Sequence, residues 1–376
     1  MKSWPILGIS IVQTILFLAH WFLYCTWIDF GWPLGASATL VLRVALGALS
    51  LTFIVSTVLA HTFTGPAVTL LYRLSALWLG LLNFLFFGAC LAWLIDLILR
   101  IALPPAQHLS HLSVRPWLAS ALLAVSLLLC LYGLINARIL RVRRVTVTLD
   151  RLPAPWRGRT ALVISDVHLG HVNGAPFAAR VAHIARQLNP DVIFLPGDLF
   201  DGMRVDPRII AAPLLALKPP LGIFYVTGNH EYIGGADHYL DGLREGGIRV
   251  LHDQRVDLDG LRVIGIDYRT STHPIALRKC LLDFHLAEGP TSIVLQHVPN
   301  RLPIVEQSGA SLMLCGHTHG GQVFPFSWIT RRAFGKFTYG LQRFGGLQVL
   351  TSSGAGTWGP PMRVGTHSEV VLLTFA

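Results

Sequence analysis

Five short fragments in the C-terminal half of this 376-residue chain set metal-binding side chains beside glycine or directly after an apolar run. They are Asp166-Val167-His168, Gly197-Asp198-Leu199-Phe200-Asp201, Gly228-Asn229-His230-Glu231, His297 and Gly316-His317-Thr318-His319. Carboxylate, imidazole and amide donors make a mixed oxygen/nitrogen set, which suits Mn²⁺, Fe or Zn²⁺ better than a metal that seeks thiolates. The two cysteines of this half, Cys280 and Cys315, stand outside ligand positions. Taken alone, an Asp or His at a strand end is usually a turn residue or a satisfied polar group, and Gly-Asn often marks only a turn. Five such fragments in succession point instead to a metal centre.

Side chains scattered over 150 residues need a frame to bring them together. Each fragment follows a short β-rich run: Ala161–Ser165, Val192–Leu195, Ile223–Val226, Ser292–Gln296 and Leu312–Cys315. Val263–Ile266, Leu347–Thr351 and Val370–Phe375 read as further strands. Alternation with amphipathic stretches predicts βα units with buried strands. In open α/β sheets ligands gather at the carboxyl ends of strands. Residues at i and i+2 of an extended end point the same way. On that basis Asp166 with His168, and His317 with His319, each converge on one site. Glu231 and His171 are expected to surround the ligands and not to join them.

This series strongly resembles the calcineurin-like metallophosphoesterase superfamily over residues 158–376, and the run Gly316-His317-Thr318-His319-Gly320-Gly321-Gln322 is similar to its bacterial membrane-attached phosphodiesterase subgroup. The resemblance implies an α/β (α+β) four-layer αββα sandwich binding two divalent ions, with Mn²⁺ first and Fe, Zn²⁺ or Mg²⁺ as the other choices. It implies Asp166, His168 and His319 on the first metal, Asn229, His297 and His317 on the second, and Asp198 bridging both. By the same resemblance His230 is the catalytic acid or leaving-group stabiliser, and Asp201 orients its imidazole. The implied reaction is hydrolysis of a phosphodiester or pyrophosphate by hydroxide that the metals activate. Where the superfamily's phosphoprotein phosphatases carry an arginine after the second Asp of the Gly-Asp motif, this chain has Gly202, which weakens a protein-phosphatase reading.

The first third of the chain is of another kind. Charged residues make up only 13% of the whole, about half the usual share. Within residues 1–137 they are Lys2, Asp29, Arg43, Arg73, Asp96, Arg100 and Arg115. Four apolar segments, Pro5–Trp27, Ala38–Ala60, Leu74–Leu103 and Trp117–Ile135, each meet the roughly 20 residues a transmembrane helix requires, and Trp4, Trp27, Trp32 and Trp117 sit near their ends. Indoles favour that interface. Too long for a cleaved signal and followed by more spans, the first segment reads as an anchor. The expected organisation is an all-α four-helix transmembrane region over 1–137, a basic linker and entry strand over 138–157, and the metallophosphoesterase domain over 158–376.

An even number of spans puts both ends on one side. Lys2, Arg73, Arg138, Arg141, Arg143 and Arg144 flank that side, against Arg100 and Arg115 on the other, so the inner membrane is expected to carry the catalytic domain on its cytoplasmic face. The formal net charge of +10 does not imply nucleic acid, because the basic run at 138–144 suits anionic headgroups. Arg43 and Asp96 lie inside apolar segments, as a pair or as structural residues, and the structural role is the expectation. The basic-aromatic stretch Val323–Tyr339 offers Arg331, Arg332 and Lys336 to a lipid headgroup. Together these features point to a lipid-linked phosphoester substrate at a bilayer. A transport or sensing protein regulated by its globular domain is the alternative, and the sparse intramembrane charges give it little support.

Overall fold

A computed structural model describes residues 4–104, 108–287 and 289–376. Two compact units divide the chain, one running to Leu134 and one beginning at Ile135, with Gly359–Pro361 grouped with the first.

The first unit consists of α1 (Trp4–Phe30), α2 (Ala36–Thr62), α3 (Pro66–Ala102) and most of α4 (His108–Arg138). All four are long and apolar enough to cross a membrane. Their large apolar side chains, Leu40, Val41 and Leu128 among them, largely face outward, as a lipid solvent allows. Helix α3 starts at Pro66, not at Leu74, which places Arg73 inside the helix. At 1.5 Å per residue its 37 residues exceed the roughly 30 Å hydrocarbon core. Arg43 and Asp96 do not pair. Arg43 donates to the Tyr24 hydroxyl at 3.0 Å, whereas Asp96 accepts from Arg100 at 2.8 Å and from Arg115 through two bonds of 2.7 Å. The buried carboxylate thus fastens α3 to α4. Lys2, counted in the charge asymmetry, lies outside the described residues, as does the side chain of Trp4.

The second unit runs β1 (Leu140–Val147), β2 (Thr160–Val163), α5 (Ala175–Leu188), β3 (Val192–Pro196), α6 (Pro207–Ile210), α7 (Ala212–Leu215), β4 (Ile223–Val226), α8 (Asn229–Gly234), α9 (Ala236–Glu245), β5 (Arg249–Val250), β6 (Gln254–Leu258), β7 (Leu261–Gly265), α10 (Tyr268–Thr272), α11 (Pro274–Asp283), β8 (Ser292–Leu295), α12 (Leu302–Gln307), β9 (Leu312–Cys315), α13 (Phe326–Phe334), β10 (Gly340–Phe344), β11 (Leu347–Thr351) and β12 (Ser368–Phe375). Two mixed six-stranded sheets result, ordered β1-β12-β2-β3-β4-β5 and β10-β11-β9-β8-β7-β6.

Between the sheets lies an apolar layer that includes Val163, Phe194, Phe224, Leu295 and Leu314. The outer face of the first sheet packs on α5 and α9 through Val181, Ala182, Tyr239 and Leu243. The second sheet's outer face packs on α11 and α12 through Leu277, Leu281 and Val305. The layering is therefore αββα. Strands covered on both faces read as continuous apolar runs, which explains why those runs predict strands so directly.

The entry strand expected within the linker is β1. Residues 140–147 form β1, paired in parallel with β12 along its whole length. Part of the basic run is also engaged inside this unit: Arg141 donates to the Asn136 carboxamide at 2.9 Å, and the Arg143 guanidinium lies over the Tyr339 ring, 4.8 Å from its centroid.

Candidate metal centre

Within the first sheet β2, β3 and β4 are parallel neighbours, and within the second β7, β8 and β9 are. The carboxyl ends of β2, β3, β4, β8 and β9 release the five fragments, four into loops and Asn229-His230-Glu231 into the first turn of α8. Asp166, His168, Asp198, His317 and His319 all have left-handed backbones, with φ between 48° and 70°. None is an extended strand end, so the i, i+2 expectation fails for the last fragment. His319 groups with Asp166 and His168, while His317 groups with Asp198 and His297.

These two groups are joined. The Nε2 atoms of His168 and His319 lie 3.0 Å apart, and Asp166 Oδ1 is 3.4 Å from His319 Nε2. On the other side His297 Nε2 is 3.1 Å from Asp198 Oδ2. His317 Nδ1 is 3.0 Å from the Asn229 carboxamide oxygen and 3.3 Å from His297 Nε2. Asp198 Oδ2 also stands 3.8 Å from His168 Nε2, linking the groups. Lone pairs of nitrogen and oxygen converge here at spacings that a cation would satisfy. The donor set, four imidazoles, two carboxylates and one carboxamide, fits a pair of divalent ions of borderline or hard character.

The surroundings set the ring directions. His297 Nδ1 donates to the Pro196 carbonyl at 2.8 Å, which turns Nε2 toward Asp198, as partners of metal-binding histidines commonly do. Burial alone would raise the Asp198 carboxyl, but His297 and, more weakly, His230 and His168 hold it well below the usual carboxylate range. For His297 burial works downward, and Asp198 with Asp166 outweighs it, lifting the imidazole to about 10. Burial, reinforced by His297, drives His317 down to about 3.

Asp201 divides its contacts. Its backbone carbonyl accepts from His230 Nδ1 at 3.1 Å, while its carboxylate lies 3.3 Å from His168 Nδ1 and 3.9 Å from His230 Nδ1. The main chain of Asp201 therefore orients His230, and its side chain supports His168 more closely. His230 stacks edge-on to His168 with centroids 4.6 Å apart and also meets the Trp358 ring, with centroids 5.5 Å apart. Of the headgroup candidates, Arg331 and Lys336 line one cavity, whereas Arg332 is simply exposed on α13.

Two residues prove more important than the sequence suggests. Glu231 is fully buried and accepts from the backbone N–H groups of Asp198, Phe200 and Gly228 at 3.3, 3.0 and 2.8 Å. It ties the Gly-Asp loop to the Gly-Asn-His loop; burial and the Asp198 charge push its carboxyl up to about 7. Its place beside Asn229 and His230 was the available signal. Arg363 is fully buried as well. It donates to the carbonyls of Ser353, Gly354 and Gly356 at 2.6, 3.2 and 2.7 Å, and to His319 Nδ1 at 3.2 Å. Nothing in the local sequence marks it.

Residues 159–321 match the family described as Calcineurin-like phosphoesterase. An uncharacterized metallophosphoesterase of Aquifex aeolicus is 32% identical over 262 residues, which cover 66% of this chain and 97% of that protein. The chain belongs to the calcineurin-like phosphoesterase family. A Campylobacter jejuni metallophosphoesterase is 30% identical over 329 residues, 83% of this chain and 86% of its own length. A Danio rerio transmembrane protein with a metallophosphoesterase domain is 32% identical over 266 residues, and the matched region spans 60% of that relative. The C-terminal unit is accordingly a metal-dependent phosphoester hydrolase domain in a membrane protein.

Two glycines of this calcineurin-like domain are fixed by contact. A Cβ at Gly228 would collide with the Asp198 carboxylate. At Gly202 the backbone has φ +79°, and a Cβ would come within 2.8 Å of the His230 carbonyl oxygen. An arginine at position 202 would therefore force the His230 loop to move.

Proposed function

We propose that this chain is a dinuclear, membrane-anchored hydrolase of a lipid-linked phosphodiester or pyrophosphate, acting at the cytoplasmic face of the inner membrane. The observation that carries the proposal is the continuity of the two ligand groups through Asp198. Asp166, His168 and His319 would hold one cation, Asn229, His297 and His317 the other, and Asp198 both. Mn²⁺ is the preferred ion, for the mixed oxygen/nitrogen donors. Residues 1–137 serve as anchor and 158–376 as catalytic domain.

When bound, the cations supply Lewis acidity and an activated water at neutral pH. The protein's own part is positional. Asp198 keeps the two ligand groups at fixed separation, and His297, locked by Pro196, presents a single nitrogen. His230 gives its Nδ1–H to the Asp201 carbonyl, so Nε2 is the atom left for the leaving oxygen, and it donates a proton there only while the ring carries both protons. An apolar outer face supports a lipid-linked substrate: Phe324, Phe326, Trp328 and Ile329 are exposed on or beside α13, with Arg331 and Arg332 at the helix end. Apolar side chains next to cations suit the headgroup boundary. The helix runs up to the site, where the Phe334 ring lies edge-on to His317 with centroids 6.0 Å apart.

A hydrolysis screen of the full chain with Mn²⁺, Mg²⁺ or Zn²⁺ tests the reading. Fastest turnover is expected for a detergent-dispersed lipid phosphoester with Mn²⁺. Turnover confined to soluble esters would remove the lipid, and none with any metal would remove the hydrolase. For orientation, a reporter fused after Ala376 is expected to read cytoplasmic. An active alkaline-phosphatase fusion there would reverse the topology and make a cell-envelope substrate the leading choice.

A further inference from the structure

A cavity of about 600 Å³ in the C-terminal unit is lined by Arg331, Lys336, Tyr339, Gln342, Thr366 and His367, with Gly320 and Ser353 completing its wall. Gly320 directly follows the candidate ligand His319, and Ser353 shares Arg363 with it, through bonds of 2.6 Å to the Ser353 carbonyl and 3.2 Å to His319 Nδ1. Thr318, between the two histidines, donates to the carbonyl of the wall residue Thr338 at 2.7 Å. This cavity is thus built onto the same loops as the metal centre without using any candidate ligand side chain.

Its charge is one-sided. Among the described residues, no carboxylate lies within ion-pair distance of Arg331 or Lys336, and the two line the same cavity. The nearby acid is already committed: Glu369 is buried and accepts from the Tyr339 hydroxyl at 2.9 Å and the Ser353 N–H at 3.0 Å, with Arg143 4.0 Å away. Burial would raise its carboxyl, but His367, Ser353, Tyr339 and Arg143 together lower it, so Glu369 stays ionised. Glu369 offsets Arg143, and the charges of Arg331 and Lys336 are left over. Both side chains are exposed, and neighbouring cations that line one cavity without a carboxylate partner favour an anion.

Resting on the hydrolase reading, we propose that this cavity is a subsite for a second anionic group, phosphate in character, and that it selects substrates carrying such a group beside the scissile phosphoester. Arg331 and Lys336 hold the group, and Arg332 takes no part. The volume admits a sugar- or glycerol-sized headgroup. The same chemistry is offered by a lipid headgroup and by a soluble phosphate compound.

The test uses the full chain with its metals in zwitterionic nanodiscs and two p-nitrophenyl phosphodiesters of glycerol that differ only in a methyl phosphodiester on the glycerol, so that one carries a single charge and the other two. In wild type the doubly charged ester is expected to have the lower KM. Arg331→Gln with Lys336→Gln should raise that KM about tenfold per cation removed and shift the singly charged ester much less. An equal rise for both esters would overturn the subsite, because the cations would then act on the scissile group or through the general field. Anionic lipid added to the nanodiscs should raise the apparent KM of the doubly charged ester if headgroups use the cavity; no change assigns it to soluble phosphates. Should neither ester turn over, the hydrolase reading fails, and equilibrium dialysis of glycerol 1-phosphate against wild type and the double variant decides the subsite. Weaker binding by the variant supports it, and equal binding sinks it.

Discussion

Asp198→Ala is expected to abolish turnover and to strip the protein of most of its metal. The Asp198 carboxylate stands beside imidazoles of both ligand groups, 3.1 Å from His297 and 3.8 Å from His168. Its loss would leave two dications without their shared counter-ion. Stability should suffer too, since breaking a buried charged pair typically costs about 3–5 kcal/mol and both His297 and Asp198 are buried. Asp198→Asn separates the effects, because it keeps the shape, including an oxygen able to accept the His230 N–H now bonded at 3.0 Å, and removes the charge. Both variants should fall to background hydrolysis, with Asp198→Asn the more stable. Elemental analysis finding two tightly held ions in an active variant would refute the bridging role.

The second large effect is predicted at His230, where chemistry and metal retention should part. His230→Asn is expected to keep its metal and to lose about 10²–10⁴-fold in turnover of an alkyl ester, the usual worth of general acid catalysis. The loss should shrink for p-nitrophenolate, which departs without a proton. Asp201→Asn tests the revised division of labour. Its carboxylate lies nearer His168 than His230, so this variant should weaken metal retention, while the backbone carbonyl goes on orienting His230. Equal losses for good and poor leaving groups, with full metal occupancy and chemistry rate-limiting, would recast His230 as a stabiliser of phosphoryl charge.

Much of the frame was readable because its central strands are covered on both sides. Val192–Pro196 and Leu312–Cys315 are buried throughout and could scarcely be anything but core strands. β1 was harder. Its half-exposed pattern and its arginines resemble a basic juxtamembrane run, so the sequence offers only an entry strand within a linker, and the eight-residue pairing with β12 sets its bounds. The donor set was legible as residue types in order, whereas the pairing of His317 with His319 was misread from strand geometry. In the left-handed region neighbouring side chains do not follow a two-residue period, so the two imidazoles turn to different groups. Arg363 could not be read at all, because its role depends on carbonyls that folding gathers around it.

Those left-handed residues also set a limit on how far this domain can be improved. A non-glycine residue held there costs on the order of 1–3 kcal/mol, though Asp and His tolerate it better than most. Asp166, His168, Asp198, His317 and His319 all bear that cost within one cluster, at positions where glycine would rest without it. The cost persists because neighbours hold each side chain: at Asp198 the pair with His297 outweighs it, so glycine there would lose more than it gains. The strain is carried for the sake of the metal centre, a trade between durability and activity concentrated in a few turns of backbone.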